Sequence, residues 1–133
     1  MGPDVLLGPR LIGRDFAGTV RAVGAGVSTV SVGDRVMGMN LFGTAAQQIS
    51  VRASKVVKIP DSIDESTAAT IPLVGFTAHQ IIHDKLRVQP GQHVLVHGAS
   101  GGVGTYVVQL AKLAGAKVTA VASYRNTEWL PSI

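Results

Sequence analysis

The sequence predicts a mixed α/β protein in which short antiparallel strands come first and a strand–helix–strand unit follows. From residue 15 to residue 59, apolar residues occur in short runs between glycine turns, with no helical period. That pattern is typical of a small antiparallel barrel or sandwich. From residue 94 onward, a β-branched run, a glycine-rich turn and an apolar stripe of helical period indicate a parallel βαβ unit.

The first region is predicted to hold four short strands joined by tight turns. Glycine and aspartate suit tight backbone geometry, so turns are expected at 25–28 and 31–34. The expected strands fall within 15–24, 33–39, 45–51 and 55–59.

Short apolar runs between glycine turns end at residue 61, and helical patterns follow. This change predicts a boundary between a first part, 1–61, and a second part, 62–133. Ser62 and Glu65 form a capping-box pattern, which predicts a short helix that is capped by Ser62 and runs through Ala69.

A second helix is expected to begin at Pro72, because proline is favoured in the first turn, and to run toward Lys85. Its predicted apolar face consists of Val74, Ala78, Ile81 and Ile82.

The segment 94–104, VLVHGASGGVG, predicts a phosphate-binding loop. Glycines let the backbone approach a pyrophosphate, and the free N–H groups that open the next helix hold phosphate charge. The G-x-G-x-x-G fingerprint is met with alanine at its first position. The candidate cofactor-binding residues here are Ala99, Ser100, Gly101, Gly102, Val103 and Gly104.

The context of this loop strengthens the prediction. Apolar residues recur at helical spacing behind it, Gly115 is placed to cap the helix, and 117–122 predicts a second parallel strand. The apolar positions are Val103, Val107, Leu110, Ala111 and Ala114. The alternative is a glycine turn that serves only helix packing.

The residues after the second strand select the cofactor. A carboxylate about 20 residues past the glycines usually binds a ribose 2′-OH, but this chain has Ser123, Tyr124 and Arg125 there. A guanidinium suits a 2′-phosphate, so NADPH is predicted over NADH, with these three residues as further cofactor-binding candidates. The alternative is that Arg125 is a solvated surface charge.

Composition bounds the other possible functions. The chain has 133 residues, 46% hydrophobic and 15% charged, as expected for a folded protein. The net charge of +4 is dispersed and only 5% of residues are aromatic, so no primary nucleic-acid role is expected. No long apolar window or signal-peptide pattern occurs, which favours a cytoplasmic protein without membrane association.

Metal and catalytic residues are sparse in this sequence. It contains no cysteine, which removes disulfides and cysteine-ligated zinc. His79 and His83 have the spacing of a metal pair but lack an evident third ligand, so they are interpreted as solvated. His93 and His97 are expected to bond to backbone groups, and no catalytic acid or base is assigned.

Four motifs, taken in order, resemble the medium-chain dehydrogenase/reductase superfamily, in its zinc-independent quinone oxidoreductase and enone reductase branch. The motifs are GRDFAG at 13–18, GDRV at 33–36, AATIP with GFTA at 68–78, and HGASGGVG at 97–104. The resemblance implies a partial GroES-like catalytic domain in 1–61 and a partial Rossmann domain in 62–133, with NADPH in the cleft between them. It also makes Phe42 and Thr77 candidates for cofactor contact.

Zinc-containing relatives read Gly-His-Glu where this chain reads Gly13-Arg14-Asp15. The resemblance therefore implies metal-free hydride transfer to a quinone or an α,β-unsaturated carbonyl. Asp15, which lies near the metal in those relatives, is interpreted here as an ion-pair or turn residue. Alternatives are an enoyl reductase module of a fatty acid or polyketide synthase, and a shortened, non-catalytic product that keeps nucleotide affinity or interacts with other chains.

The length of the chain differs from that of the superfamily. The resemblance covers only the middle of the family's length, so a fragment is expected. Two parallel strands and one helix leave an apolar sheet face uncovered, which predicts a marginally stable or oligomeric chain.

Overall fold

The computed structural model describes residues 12–133, and these residues form two compact units. Unit 1 extends to Leu73 and unit 2 runs from Val74 to Ile133. Unit 1 contains an antiparallel sheet and unit 2 a parallel one, as the sequence patterns of the two regions predict.

Unit 1 is built on a three-stranded sheet of order β1-β2-β3. The strands are β1 (Asp15–Thr19), β2 (Arg35–Met39) and β3 (Val56–Lys58). Gly26 and Gly33 adopt φ of 77° and 93° in the two predicted turns, a conformation that glycine adopts without strain. The buried side chains of this unit are those of Phe16, Val30, Val36, Thr44, Ile59 and Ala68.

The strand expected at 45–51 is absent from the structure. Its beginning is tied to the preceding chain by isolated bonds, from Ala45 N–H to the Ile12 carbonyl and from Thr44 N–H to the Gly13 carbonyl. Exposed Gln47 and Gln48 interrupt the apolar alternation that would place one face of a strand in the core.

Helix α1 (Glu65–Ala68) begins two residues later than the capping box with Ser62 as N-cap predicts. Asp64 is the N-cap, and its carboxylate accepts bonds from the Thr67 N–H and hydroxyl, both at 2.9 Å. An aspartate three residues before a free helix N–H satisfies that donor as Ser62 was expected to do, which shifts the start of the helix.

Helix α2 (Pro72–His79) begins at the proline that predicted it and continues as a π-helical segment, Gln80–Lys85. The carboxylate of Asp15 in β1 accepts a bond from the Leu73 N–H at 2.8 Å. Within residues 12–133, Asp15 thus acts as an acceptor for a helix N–H, whereas it is interpreted from the sequence as an ion-pair or turn residue. It satisfies a donor in the first turn of α2, where helices leave N–H groups unpaired.

Unit 2 contains a parallel pair of strands joined by one helix: β4 (His93–His97), α3 (Gly102–Leu113) and β5 (Lys117–Val121). The predicted apolar face of α3 packs into the core, with Val107 and Ala111 buried. Helix α3 ends at Leu113, Ala114 is its C-cap, and Gly115 follows at φ 80°.

The core of unit 2 lies between α3, β4 and the helical segment 72–85. It consists of Ala78, Ile82, Val88, Val96, Ala99, Val107, Val108, Ala111 and Leu130. No helix in residues 12–133 has the length and apolar character needed to span a bilayer.

Candidate functional site

The chain turns sharply between β4 and α3, and three backbone features fix that turn. Gly98 adopts φ 67°, a backbone conformation that residues other than glycine rarely adopt. The Ala99 N–H donates to the Val121 carbonyl at 3.0 Å, which ties the turn to the end of β5. The Gly101 N–H donates to the Gly98 carbonyl at 2.9 Å, so the loop closes on itself.

Gly104 lies in the first turn of α3 directly against this loop. A Cβ built on Gly104 would lie 2.2 Å from the Gly98 carbonyl oxygen and 2.8 Å from the Ala99 Cα. Only glycine allows so close an approach, and this is the role of the third glycine of the dinucleotide fingerprint.

Four backbone N–H groups of the loop and helix start remain available. Within residues 12–133, no hydrogen bond is made by the N–H groups of Ser100, Gly102, Val103 or Gly104. The N–H groups of Ala99 and Gly101, by contrast, are used inside the protein. Helix α3 has twelve residues and no acidic residue in its first turn, so its positive dipole end is not neutralised.

This arrangement fits a phosphate group. Unpaired N–H groups at a helix N-terminus, beside a loop without obstructing side chains, form the anion site that dinucleotides use. Gly98, Gly101, Gly102 and Gly104 add no side chains to this turn.

The residues after β5 form a second part of the site. Ser123 precedes a single 3-10 turn, Tyr124–Asn126. Tyr124 and Arg125 are exposed, and Arg125 makes no ion pair within the described residues. The acidic residues of the sequence from Val74 onward are Asp84 and Glu128, so no carboxylate occupies positions 121–127.

Asn126 joins these two parts, and sequence reasoning did not identify it. Its side-chain amide lies 3.0 Å from the Ser100 hydroxyl and 3.2 Å from the Ser123 hydroxyl. The position of Asn126 next to Arg125 could have suggested a role in the site. Its contact with Ser100 could not be predicted, because 26 residues separate the two in the sequence.

The two remaining cofactor candidates lie on other elements. Thr77 is half-buried in α2, one turn after Val74, whose Cγ1 lies 3.4 Å from the position of a Cβ built on Gly102. Phe42 belongs to unit 1, where it lies on an exposed bend, and its carbonyl accepts a bond from the Asn40 amide at 3.2 Å. Their contact with a cofactor stays a prediction.

Three of the histidines contact neighbouring side chains. The rings of His79 and His83 are 4.5 Å apart, and no cluster of three or more metal-ligating side chains occurs in the described part of the chain. His93 Nε2 lies 2.7 Å from the Thr119 hydroxyl, so its partner is a side chain rather than the backbone group expected.

An open pocket of about 600 Å³ is lined by residues of unit 1, and it does not include the loop between β4 and α3. Phe16, Val30, Val36 and the buried Thr44 are among the residues that line it, and none of the cofactor candidates does so.

Residues 4–61 match the family of the alcohol dehydrogenase GroES-like domain. Among curated proteins, the chain is 44% identical over 123 residues to polyketide synthase GfsB from Streptomyces halstedii. That match covers 92% of this chain and 2% of the synthase.

Solved structures align with most of this chain. The CurK enoyl reductase aligns with TM-score 0.86 and 41% identity over 90% of this chain and 36% of its own. The quinone oxidoreductase from Coxiella burnetii aligns with TM-score 0.83 and 34% identity, over 91% of this chain and 39% of its own. Mycobacterial Rv1454c, solved in complex with NADPH, aligns with TM-score 0.84 and 35% identity, over 92% and 39%. The chain thus spans little more than a third of the length of these solved relatives.

Proposed function

This chain belongs to the medium-chain dehydrogenase/reductase superfamily of oxidoreductases, and on that premise we propose that it serves an NADPH-dependent reduction of an α,β-unsaturated carbonyl compound. The observation that carries the proposal is the set of unpaired N–H groups around the Gly98–Gly104 contact, which is suited to a dinucleotide pyrophosphate.

NADPH is favoured over NADH by the residues that follow β5. Arg125 is exposed and makes no ion pair within residues 12–133, so its guanidinium is available to a 2′-phosphate. An ionised carboxylate at Ser123 would accept from a ribose hydroxyl and repel a 2′-phosphate, whereas a serine hydroxyl donates to it. The solved complex of Rv1454c with NADPH supports this choice.

When bound, NADPH would supply a hydride to the β-carbon of the substrate, a proton would reach the α-carbon, and NADP⁺ and the saturated carbonyl compound would result. This chain contributes the loop that holds the pyrophosphate and the segment that selects the 2′-phosphate. These 133 residues contain no cysteine and so supply no thiolate ligand for zinc, and we propose that hydrogen bonds polarise the substrate carbonyl.

Two relatives favour an enoyl thioester as the substrate. One is the CurK enoyl reductase and the other is polyketide synthase GfsB. A quinone is the second candidate, favoured by the likeness to the quinone oxidoreductase from Coxiella burnetii. A non-catalytic product that only binds the nucleotide is the remaining alternative.

The test is oxidation of NADPH by the chain, with an acyl thioester enoyl compound, a simple enone or a quinone as the acceptor. Turnover of the enoyl thioester above the other two acceptors supports the first proposal, and preferential turnover of the quinone supports the second. Saturable NADPH binding without turnover of any acceptor selects the non-catalytic alternative. Absence of NADPH binding overturns all three.

A further inference from the structure

The side chain of Asn126 lies between two serine hydroxyls that belong to different parts of the loop site. Ser100 comes from the turn after β4, and Ser123 comes from the segment after β5. The Asn126 Nδ2 donates to the Ser100 Oγ at 3.0 Å and to the Ser123 Oγ at 3.2 Å. The backbone N–H of Asn126 also donates to the Ser123 carbonyl at 2.9 Å, and this bond closes the turn.

The chemistry of the amide determines how the hydroxyls are oriented. An amide nitrogen carries two hydrogens and accepts nothing, so both serine oxygens act as acceptors toward Asn126. Each hydroxyl hydrogen is then left to point elsewhere. Neither serine hydroxyl donates to a protein group within the described residues.

Both hydroxyls lie where phosphate oxygens are expected. The backbone N–H of Ser100 makes no hydrogen bond within residues 12–133, and Ser123 holds the position from which a carboxylate binds the ribose 2′-OH in NAD sites. A phosphate oxygen is an acceptor, so a hydroxyl already held as an acceptor by Asn126 is preset to donate to it.

We propose that Asn126 is a positioning and specificity-determining residue that presents the Ser100 hydroxyl to the pyrophosphate and the Ser123 hydroxyl to the 2′-phosphate of NADPH. The inference rests on the proposed function. It adds a residue outside the glycine loop that couples recognition of the two phosphate groups of the cofactor.

The test is a set of binding titrations with NADPH, NADH and adenosine 2′,5′-bisphosphate. Asn126→Asp keeps the shape of the side chain but replaces the donor with an acceptor. A carboxylate draws both hydroxyl hydrogens toward itself and adds a negative charge near the phosphates. We expect NADPH affinity to fall at least tenfold, and the ratio of NADPH to NADH affinity to fall with it.

The serine variants separate the two contacts. Ser123→Ala should weaken NADPH and the bisphosphate several-fold and leave NADH unchanged. Ser100→Ala should weaken NADPH and NADH by the same factor. A purely structural role of Asn126 would lower both affinities together and leave the ratio unchanged.

Gln109→Glu is the matched control, because it makes the same amide-to-carboxylate change on an exposed turn of α3. It should leave the NADPH to NADH ratio within twofold of the wild type. If Asn126→Asp does not fold, a cycle of Asn126→Ala and Ser123→Ala replaces it, and non-additive losses of NADPH affinity are expected.

The outcomes distinguish the two proposals. Wild-type NADPH binding together with an unchanged ratio in Asn126→Asp, or additive losses in the cycle, overturns the role of Asn126 and leaves the proposed function standing. A wild-type chain that does not bind NADPH overturns both.

Discussion

Gly104 at the start of α3 lies so close to Gly98 that a Cβ on Gly104 would be 2.2 Å from the Gly98 carbonyl oxygen. The contact joins the helix start to the loop through backbone atoms alone. We therefore expect it to contribute to the stability of the loop.

Gly104→Ala should destabilise unit 2, because the new methyl group meets backbone rather than a flexible side chain. Overpacking of this kind costs about 1–3 kcal/mol. Gly102→Ala is the control, since its Cβ would lie 3.4 Å from the Val74 Cγ1 and should change stability by less than about 1 kcal/mol. Urea unfolding measures both variants, and equal stabilities would contradict the packing role of Gly104.

Asp15 should stabilise α2 through its 2.8 Å bond with the Leu73 N–H. Asp15→Ala removes this acceptor and should lower the free energy of unfolding by about 1 kcal/mol, the usual cost of losing a helix-terminal acceptor. Asp15→Asn keeps an oxygen acceptor and should recover most of that loss. Denaturant titration measures the free energy of unfolding of each variant. An Asp15→Ala variant as stable as the wild type would show that the bond contributes nothing.

Acid should destabilise unit 1 through two aspartates. The Lys58 ammonium, with the Ser31 N–H, lowers the pKa of Asp34 below its ordinary value of 3.8, and the Thr67 N–H and hydroxyl lower the pKa of Asp64 in the same way. A carboxyl whose folded pKa is lowered stabilises the fold above its unfolded pKa, and this stabilisation is lost as pH falls through the folded value.

We therefore expect stability to fall below about pH 4, and the double variant Asp34→Asn/Asp64→Asn to show a flatter dependence on pH. Asp61→Asn is the control, because Asp61 makes no hydrogen bond or ion pair in the described part of the chain. Thermal unfolding from pH 3 to pH 7 measures the effect. A double variant as acid-sensitive as the wild type would refute the assignment.

The uncovered face of the β4–β5 sheet should cause the chain to associate. Leu95 is 61% exposed and Val121 is 37% exposed, and parallel sheets are normally covered on both faces. Leu95→Thr should reduce concentration-dependent association in sedimentation velocity. Val57→Thr, which changes a similarly exposed valine on β3, should reduce it less. A wild-type monomer with a sharp, concentration-independent thermal transition would contradict this expectation.

Local sequence patterns predicted much of this fold. The βαβ unit followed from the β-branched run, the glycine turn and the helical period, because these signals act over a few neighbouring residues. The turns at Gly26 and Gly33 followed from the same kind of signal.

Contacts between distant residues could not be predicted in that way. The bond from Leu73 to Asp15 spans 58 residues and the bond from Asn126 to Ser100 spans 26, and neither leaves a periodic trace in the sequence. Asp64 and Ser62 are both favoured N-cap residues, so the residue types alone do not decide between them, and in the structure it is Asp64 that accepts from the Thr67 N–H.

The most direct test of the account is isothermal titration of the chain with NADPH and NADH, for the wild type, Arg125→Ala and Lys117→Ala. Charge-assisted bonds of about 1.5–3 kcal/mol predict that NADPH binds at least tenfold more tightly than NADH, and that Arg125→Ala markedly reduces this difference, leaving the part that Ser123 supplies. Lys117→Ala removes the same charge at the beginning of β5, the end of the strand away from Val121 and the loop, and should preserve the difference. Failure of the wild type to bind NADPH, or an unchanged preference in Arg125→Ala, would contradict the account.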